Sequence, residues 1–352
     1  MLKSLVQKSM PPKPYLVLGN RMFILSIVVL LLSAYIYDVG EAFVAVEVAI
    51  IHFLFNLKFG SARSTILGAI YPLIMTLIAV QLSLVAWPYT PYLCTAFVFI
   101  LVLFERDTHH RGVPKYILPL SFLFLSMMMP VDIPASELIL QRSASVVIGI
   151  AAAIFASVFI WPNESFKSDE PKLGNQSVPR SNMPKNPTHK LGAVDIKYSA
   201  RKALGIGLIL LLGFIDRTGA ALGAYLFMMI HSPISKNLAP KAWQRLSGTV
   251  IGAVAYLPLG LLLGDLESSL AVTVVVWSFV ILSLYMILVF LEHNYTLAAA
   301  FIMLLILIIA VGPFNLELVD AVFMQRFWYT LIGGGVMVAL GVLVPIHDKE
   351  VA

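Results

Sequence analysis

QRSASVVIG (residues 141–149) and QRFWYTLIG (residues 325–333) each open an apolar stretch with a Gln-Arg pair and reach Ile-Gly after five free positions. Arginine is costly at the head of a membrane-type helix, so the same unusual spelling in two places points to an internal repeat. Further matches follow in the same order, the third of them with one residue inserted. GEAFVAVEVAIIH (40–52) aligns with GAALGAYLFMMIH (219–231), TILGA from Thr65 with TVIGA from Thr249, and LVLFERDT ending at Thr108 with LVFLEHNYT ending at Thr296. Pro130 and Pro313 stand at similar distances before the two Gln-Arg pairs, and Pro162 and Pro345 close the two terminal stretches.

Composition sets the solvent. With 59% hydrophobic and 12% charged residues and a mean hydropathy of +0.90, the chain is one that water cannot solvate. Apolar runs lie near 22–37, 42–57, 64–87, 92–104, 116–130, 144–161, 203–215, 218–230, 246–263, 270–291, 295–311 and 327–345. They predict an all-α integral membrane protein of about twelve transmembrane helices, and their unalternated character excludes a β-barrel. The matches divide the spans into two six-helix repeats of even number, so both enter from one side and are parallel repeats. The expected organisation is an N-terminal segment (1–20), a first membrane repeat (21–162), a flexible linker (163–197), a second repeat (198–345) and a tail (346–352). The linker is rich in Pro, Asn, Ser and Lys and has little to bury.

Charge gives the orientation. Of the 24 lysines and arginines, all but Arg142, Arg217 and Arg326 fall on the side shared by the N-terminus, the linker and the C-terminus. The positive-inside rule places that side in the cytoplasm. The net charge of +5 is then a topology signal and implies no nucleic-acid partner. Residues 1–20 are read as a retained cytoplasmic segment, because signal cleavage would remove the first helix of a repeated unit. Cys94 is the single cysteine, which rules out an internal disulfide.

Arg142 and Arg326 break the charge rule at equivalent positions, expected at the outer boundary of the last helix of each repeat. Guanidinium groups there offer a carboxylate planar two-point hydrogen bonding; the alternatives are pairing with Glu137 or Asp320, or anchoring at headgroups. Glu47, within AFVAVEVAIIH, and the repeated pair His52 and His231 are candidates for proton coupling, since each changes charge when it gains or loses a proton inside a span. The other reading of the histidines is packing. Glu105 and Glu292 stand at matching cytoplasmic helix ends, as a gate or as interfacial salt bridges. Ser64-x3-Gly68, Gly248-x3-Gly252 and Gly333-Gly-Gly335 read as helix-packing seams. No metal-ligand spacing, cofactor motif or nucleophile–base arrangement is present, so no metal, cofactor or enzyme activity is expected.

The tandem six-helix halves, RLSGTVIGA from Arg245 after a cytoplasmic loop, and the closing helix QRFWYTLIGGGVMVALGVLVP resemble the fusaric acid resistance and aromatic acid exporter superfamily. The second half matches better; in the first, Ser61 stands where Arg245 would fall. The resemblance implies a bacterial inner-membrane exporter of aromatic or other amphipathic organic acids, working with a periplasmic adaptor of the membrane-fusion type. The large cytoplasmic domains of long members are missing from the pattern, which implies a compact branch. The resulting expectation is proton-linked efflux, with the lipid bilayer, a small organic anion and a second copy of the chain as further partners. A passive organic-anion channel and a non-transport scaffold of an envelope complex are the alternatives.

Overall fold

The computed structural model describes residues 13–36, 39–56, 62–105, 117–128, 134–161, 192–229, 234–264, 270–291, 293–310 and 317–347. Among them the regular structure is helical and contains no strand. The helices are α1 (Lys13–Ile36), α2 (Val39–Asn56), α3 (Ala62–Ser83), α4 (Thr90–Glu105), α5 (Ile117–Met127), α6 (Ala135–Phe155), α7 (Ala193–Leu211), α8 (Arg217–Met229), α9 (Leu238–Gly264), α10 (Leu270–Phe290), α11 (Tyr295–Ala310) and α12 (Glu317–Leu343). A π turn, Ala156–Ile160, extends α6, and a 3₁₀ turn, Leu212–Phe214, closes α7.

Helix is the form that closes every backbone hydrogen bond within one segment, which a hydrocarbon surrounding requires. Several hydroxyls inside these helices donate to carbonyls one turn back, as Thr76 does to Pro72 (2.6 Å) and Ser157 to Ala153 (2.7 Å). Four stretches are long and apolar enough to cross a membrane: Leu16–Ile36, Ser136–Ile160, Thr273–Phe290 and Leu318–Leu343. Shorter apolar helices include Phe43–Leu54, Ala69–Ser83, Thr90–Phe104 and Tyr295–Ile309. Large apolar side chains such as Leu31, Phe104, Leu261 and Val342 are exposed, as suits a lipid-facing surface.

The chain divides into two compact units. The C-terminal unit comprises Met1–Ile24 and Ile209–Leu343. Within it α9 packs on α11 and α12, α10 on α11, and α12 on α8. The first turns of α1 belong here too: Phe23 meets Tyr285 edge-on at 5.2 Å, and the Tyr285 hydroxyl donates to Asn20 Oδ1 at 3.1 Å. The N-terminal unit comprises Leu25–Leu208 and Val344–Ala352 and is organised by α2 on α6 and α3 on α5. Its α7 contribution approaches α4 closely where Gly207 faces Thr95.

Both Ile-Gly glycines of the Gln-Arg motifs are close-approach positions. A Cβ on Gly149 of α6 would lie 2.6 Å from the Ala45 carbonyl oxygen and from Val48 Cβ on α2. A Cβ on Gly333 of α12 would lie 3.0 Å from the Gly223 carbonyl oxygen of α8. The seam expected at Gly248-x3-Gly252 lies between α9 and α11 and is tighter: a Cβ on Gly248 would lie 2.5 Å from the Thr296 carbonyl oxygen, and one on Gly252 would meet Ala300 and Met303. Small residues let backbones approach to this degree, and dispersion contacts then hold the helices where lipid is as apolar as the side chains.

Helix starts differ from the sequence reading. The Gln-Arg pairs lie inside their helices rather than at the first turn, because α6 begins at Ala135, behind Pro134, and α12 at Glu317. Glu137 in the first turn of α6 suits the positive end of the helix dipole. At α7 the helix begins at Ala193, where Asp195 Oδ2 accepts the Gly192 N–H at 3.0 Å.

Gly252→Leu and Gly149→Leu should each destabilise the purified protein by about 2 kcal/mol or more, the range for overpacked contacts with backbone. Gly335→Leu should be near neutral, since nothing lies within 4 Å of a Cβ there. Thermal melting of the three variants in detergent checks the ranking.

Candidate functional site

A small cavity lies within the C-terminal unit, between α8, α9, α11 and α12. Leu226, Ala299, Ile302, Met303 and Ile306 supply its apolar wall, and Arg245, Thr249, Arg326 and Thr330 its polar one. Its room is that of about one water-sized particle. Arg245 stands seven residues into α9 and Arg326 nine residues into α12, so each guanidinium is carried inward on a helix from its own end. Arg245 is 5% exposed, and its Nε is buried without a hydrogen-bond partner. The Tyr295 ring centroid lies 5.9 Å from its guanidinium carbon. The two arginines are close enough for their like charges to interact. Among the described residues no carboxylate lines the cavity.

The two threonines stand in the same relation to the two arginines. Thr249 Oγ1 donates to the Arg245 carbonyl at 3.0 Å, and Thr330 Oγ1 donates to the Arg326 carbonyl at 2.6 Å. Both hydroxyl hydrogens are thereby committed to backbone. The N–H groups left to address a ligand belong to guanidinium, and a site whose donors are all cationic is matched to an anion.

Arg326 is held at its depth by a link one turn further along α12. The Tyr329 hydroxyl donates to Asp216 Oδ2 at 2.9 Å, while Asp216 Oδ1 accepts the Gly219 N–H at 2.9 Å. Asp216 thus caps α8 and ties α12 to it, with the Tyr329 ring lying against Gly219 and Gly223.

The remaining sequence candidates fall as follows. Arg142, on α6 of the N-terminal unit, is buried at 2% exposure, and Glu137 Oε1 accepts a hydrogen bond from Gln141 at 3.1 Å. Glu47 and His52 share α2 of the same unit; Glu47 is half-buried and His52 fully buried beside Phe53, which meets Trp161 edge-on at 5.8 Å. His231 and Glu292 lie outside the described residues, as does the side chain of Glu105. Arg326 therefore joins Arg245 rather than the exposed Asp320.

Arg245 is the site residue to which sequence reasoning gave no role. The signal was present: Arg245-x3-Thr249 and Arg326-x3-Thr330 repeat one spacing in two apolar helices. The burial of Tyr198, Arg201 and Lys202 on α7 was likewise unforeseen, the sequence having counted the two cations only as cytoplasmic-side charge.

Residues 203–340 match the family model described as fusaric acid resistance protein-like, a segment that contains every residue lining the cavity. This segment, under half of the chain, is similar to the fusaric acid resistance superfamily. Members of that superfamily are membrane transporters, and the chain is accordingly a multi-pass membrane protein. No curated protein and no solved structure matches the chain. Within the matched segment the cavity brings two arginines together in an otherwise apolar setting.

Tyr329→Phe should cost about 1 kcal/mol through loss of the bond to Asp216 while keeping the ring against α8. A melting shift accompanied by a weaker substrate KM would show that the link positions Arg326 as well as stabilising the unit.

Proposed function

We propose that this chain exports aromatic or other amphipathic organic acids across the bacterial inner membrane, and that the Arg245–Arg326 cavity is where it holds the carboxylate. The observation that carries the reading is the convergence of two arginines, with no acid among the described lining residues, on a wall that is otherwise apolar. Guanidinium groups meet the carboxylate, and Leu226, Ile302, Met303 and Ile306 suit the hydrophobic body of such a molecule. The room present is too small for an aromatic ring, so loading requires the helices around the cavity to part, as alternating access does.

The transmembrane arrangement in this proposal is twelve spans in two parallel six-helix repeats with both termini cytoplasmic. It draws support from the charge bias and from the two motif glycines, Gly149 and Gly333, each meeting the second helix of its own half. Arg142 is then the counterpart of Arg326, and Glu47 the counterpart of the cavity residue Leu226. Glu47, His52 and His231 are assigned to proton coupling, Glu105 and Glu292 to a cytoplasmic gate. A periplasmic adaptor of the membrane-fusion type would carry the exported acid onward. The chain acts as a transporter and not as an enzyme.

Uptake of radiolabelled benzoate into inside-out vesicles, with and without an imposed proton gradient, tests this. Arg245→Gln and Arg326→Gln should each raise the KM by at least about tenfold, and Arg142→Ala should weaken transport. Glu47→Gln should abolish the dependence on the gradient. Unchanged substrate dependence in both cavity variants would remove the assigned site, and electrical current without proton dependence would favour a channel.

A further inference from the structure

The cavity raises a question about its own closed state. Two guanidinium groups share a space of about one water-sized particle, with no lining carboxylate among the described residues and with Arg245 Nε buried and unpartnered. Arg245 is buried and Arg326 half-buried beside it, and holding two like charges together where water is partly excluded is unfavourable without a counter-charge. The closed arrangement therefore calls for an anion small enough to fit.

The polar lining narrows the choice. Thr249 and Thr330 have donated their hydroxyl hydrogens to backbone, leaving guanidinium N–H groups as the side-chain donors of the residues that line the space. Water must place two hydrogens of its own and neutralises nothing. A monatomic anion is a pure acceptor, carries the required charge and needs no room for a substituent. It is only slightly larger than water, and the ends of two flexible arginine side chains can yield to it. An organic carboxylate has the right head but brings a body that the closed cavity does not admit.

We infer that the closed cavity between α8, α9, α11 and α12 holds a halide ion, chloride in ordinary media, which an organic carboxylate must displace. The inference rests on reading this cavity as the substrate site. Chloride then acts as a competitor of the transported acid and keeps the two arginines compatible with the closed packing when no acid is bound.

The test uses the full chain in detergent, with chloride titrated against methanesulfonate at constant ionic strength while Tm is followed. Wild type should show a saturable rise of about 2 °C or more, expected of a ligand bound only to the folded state. Arg245→Gln and Arg326→Gln should lose that rise, and Gly335→Ala should keep it. In wild type alone, saturating chloride should weaken the apparent affinity for benzoate at least tenfold, a readout that does not depend on the arginine variants folding. A Tm indifferent to chloride while benzoate still stabilises the protein in an arginine-dependent way overturns the halide site and leaves the substrate reading intact. A chloride effect that persists in both arginine variants also overturns it, because the ion then binds elsewhere. Stabilisation by neither chloride nor benzoate would remove the halide site and the substrate site together.

Discussion

Two like charges brought together on apolar helices of one unit, Arg245 buried and Arg326 half-buried beside it, are the constraint around which the C-terminal unit is built. Coulomb repulsion between guanidinium groups grows as the dielectric falls, and partial burial weakens the screening that water would give them. A fold that keeps both must hold the helices firmly enough to resist splaying and must give the charges something to meet. The first need is answered by packing, the second by an anion. This ties the architecture to the chemistry: the residues that make the unit costly are those that make it selective for anions.

The packing answer is visible at the seams. Gly248 and Gly252 bring α9 against the backbone of α11, so Arg245 and Thr249 on α9 are placed beside Ala299 and Met303. Gly219, Gly223 and Gly333 bring α8 and α12 together, and the Asp216–Tyr329 bond fixes their relative height one turn from Arg326. Each arginine thus arrives in the cavity on a helix whose register is set by glycine contacts within the same unit. In lipid, where apolar side chains gain nothing by leaving the solvent, contacts of this kind do the work that hydrophobic burial does in water.

Much of this was legible before any coordinates. The apolar runs mark the helices, the Gln-Arg-x5-Ile-Gly motif singles out Gly149 and Gly333, and Gly248-x3-Gly252 reads as a packing seam, though not as one with α11. Arg326 was marked by its breach of the charge rule. What the sequence hid has a physical cause: a helix such as α10, apolar on every side, does not reveal which face meets lipid and which meets protein. Without helix neighbours Arg326 could be matched only to acids nearby in sequence, and Arg245 had no reason to be joined to it. The helix starts were also misread. Polar first turns, such as Ala-Ser-Glu at 135–137, lower the local hydropathy but extend the helix, so the Gln-Arg pairs fall inside their helices and not at the first turn.

The central claim is that Arg245 and Arg326 act on one anion as one site. A double-mutant cycle on benzoate binding to the purified full chain, with Arg245→Gln, Arg326→Gln and the double variant, addresses it directly. If both guanidiniums hold the same carboxylate, the loss in the double variant should fall short of the product of the single losses by about tenfold or more, the coupling expected of groups sharing a partner. Losses that multiply would mean that the two arginines act at separate places, and the shared cavity would not be the binding site.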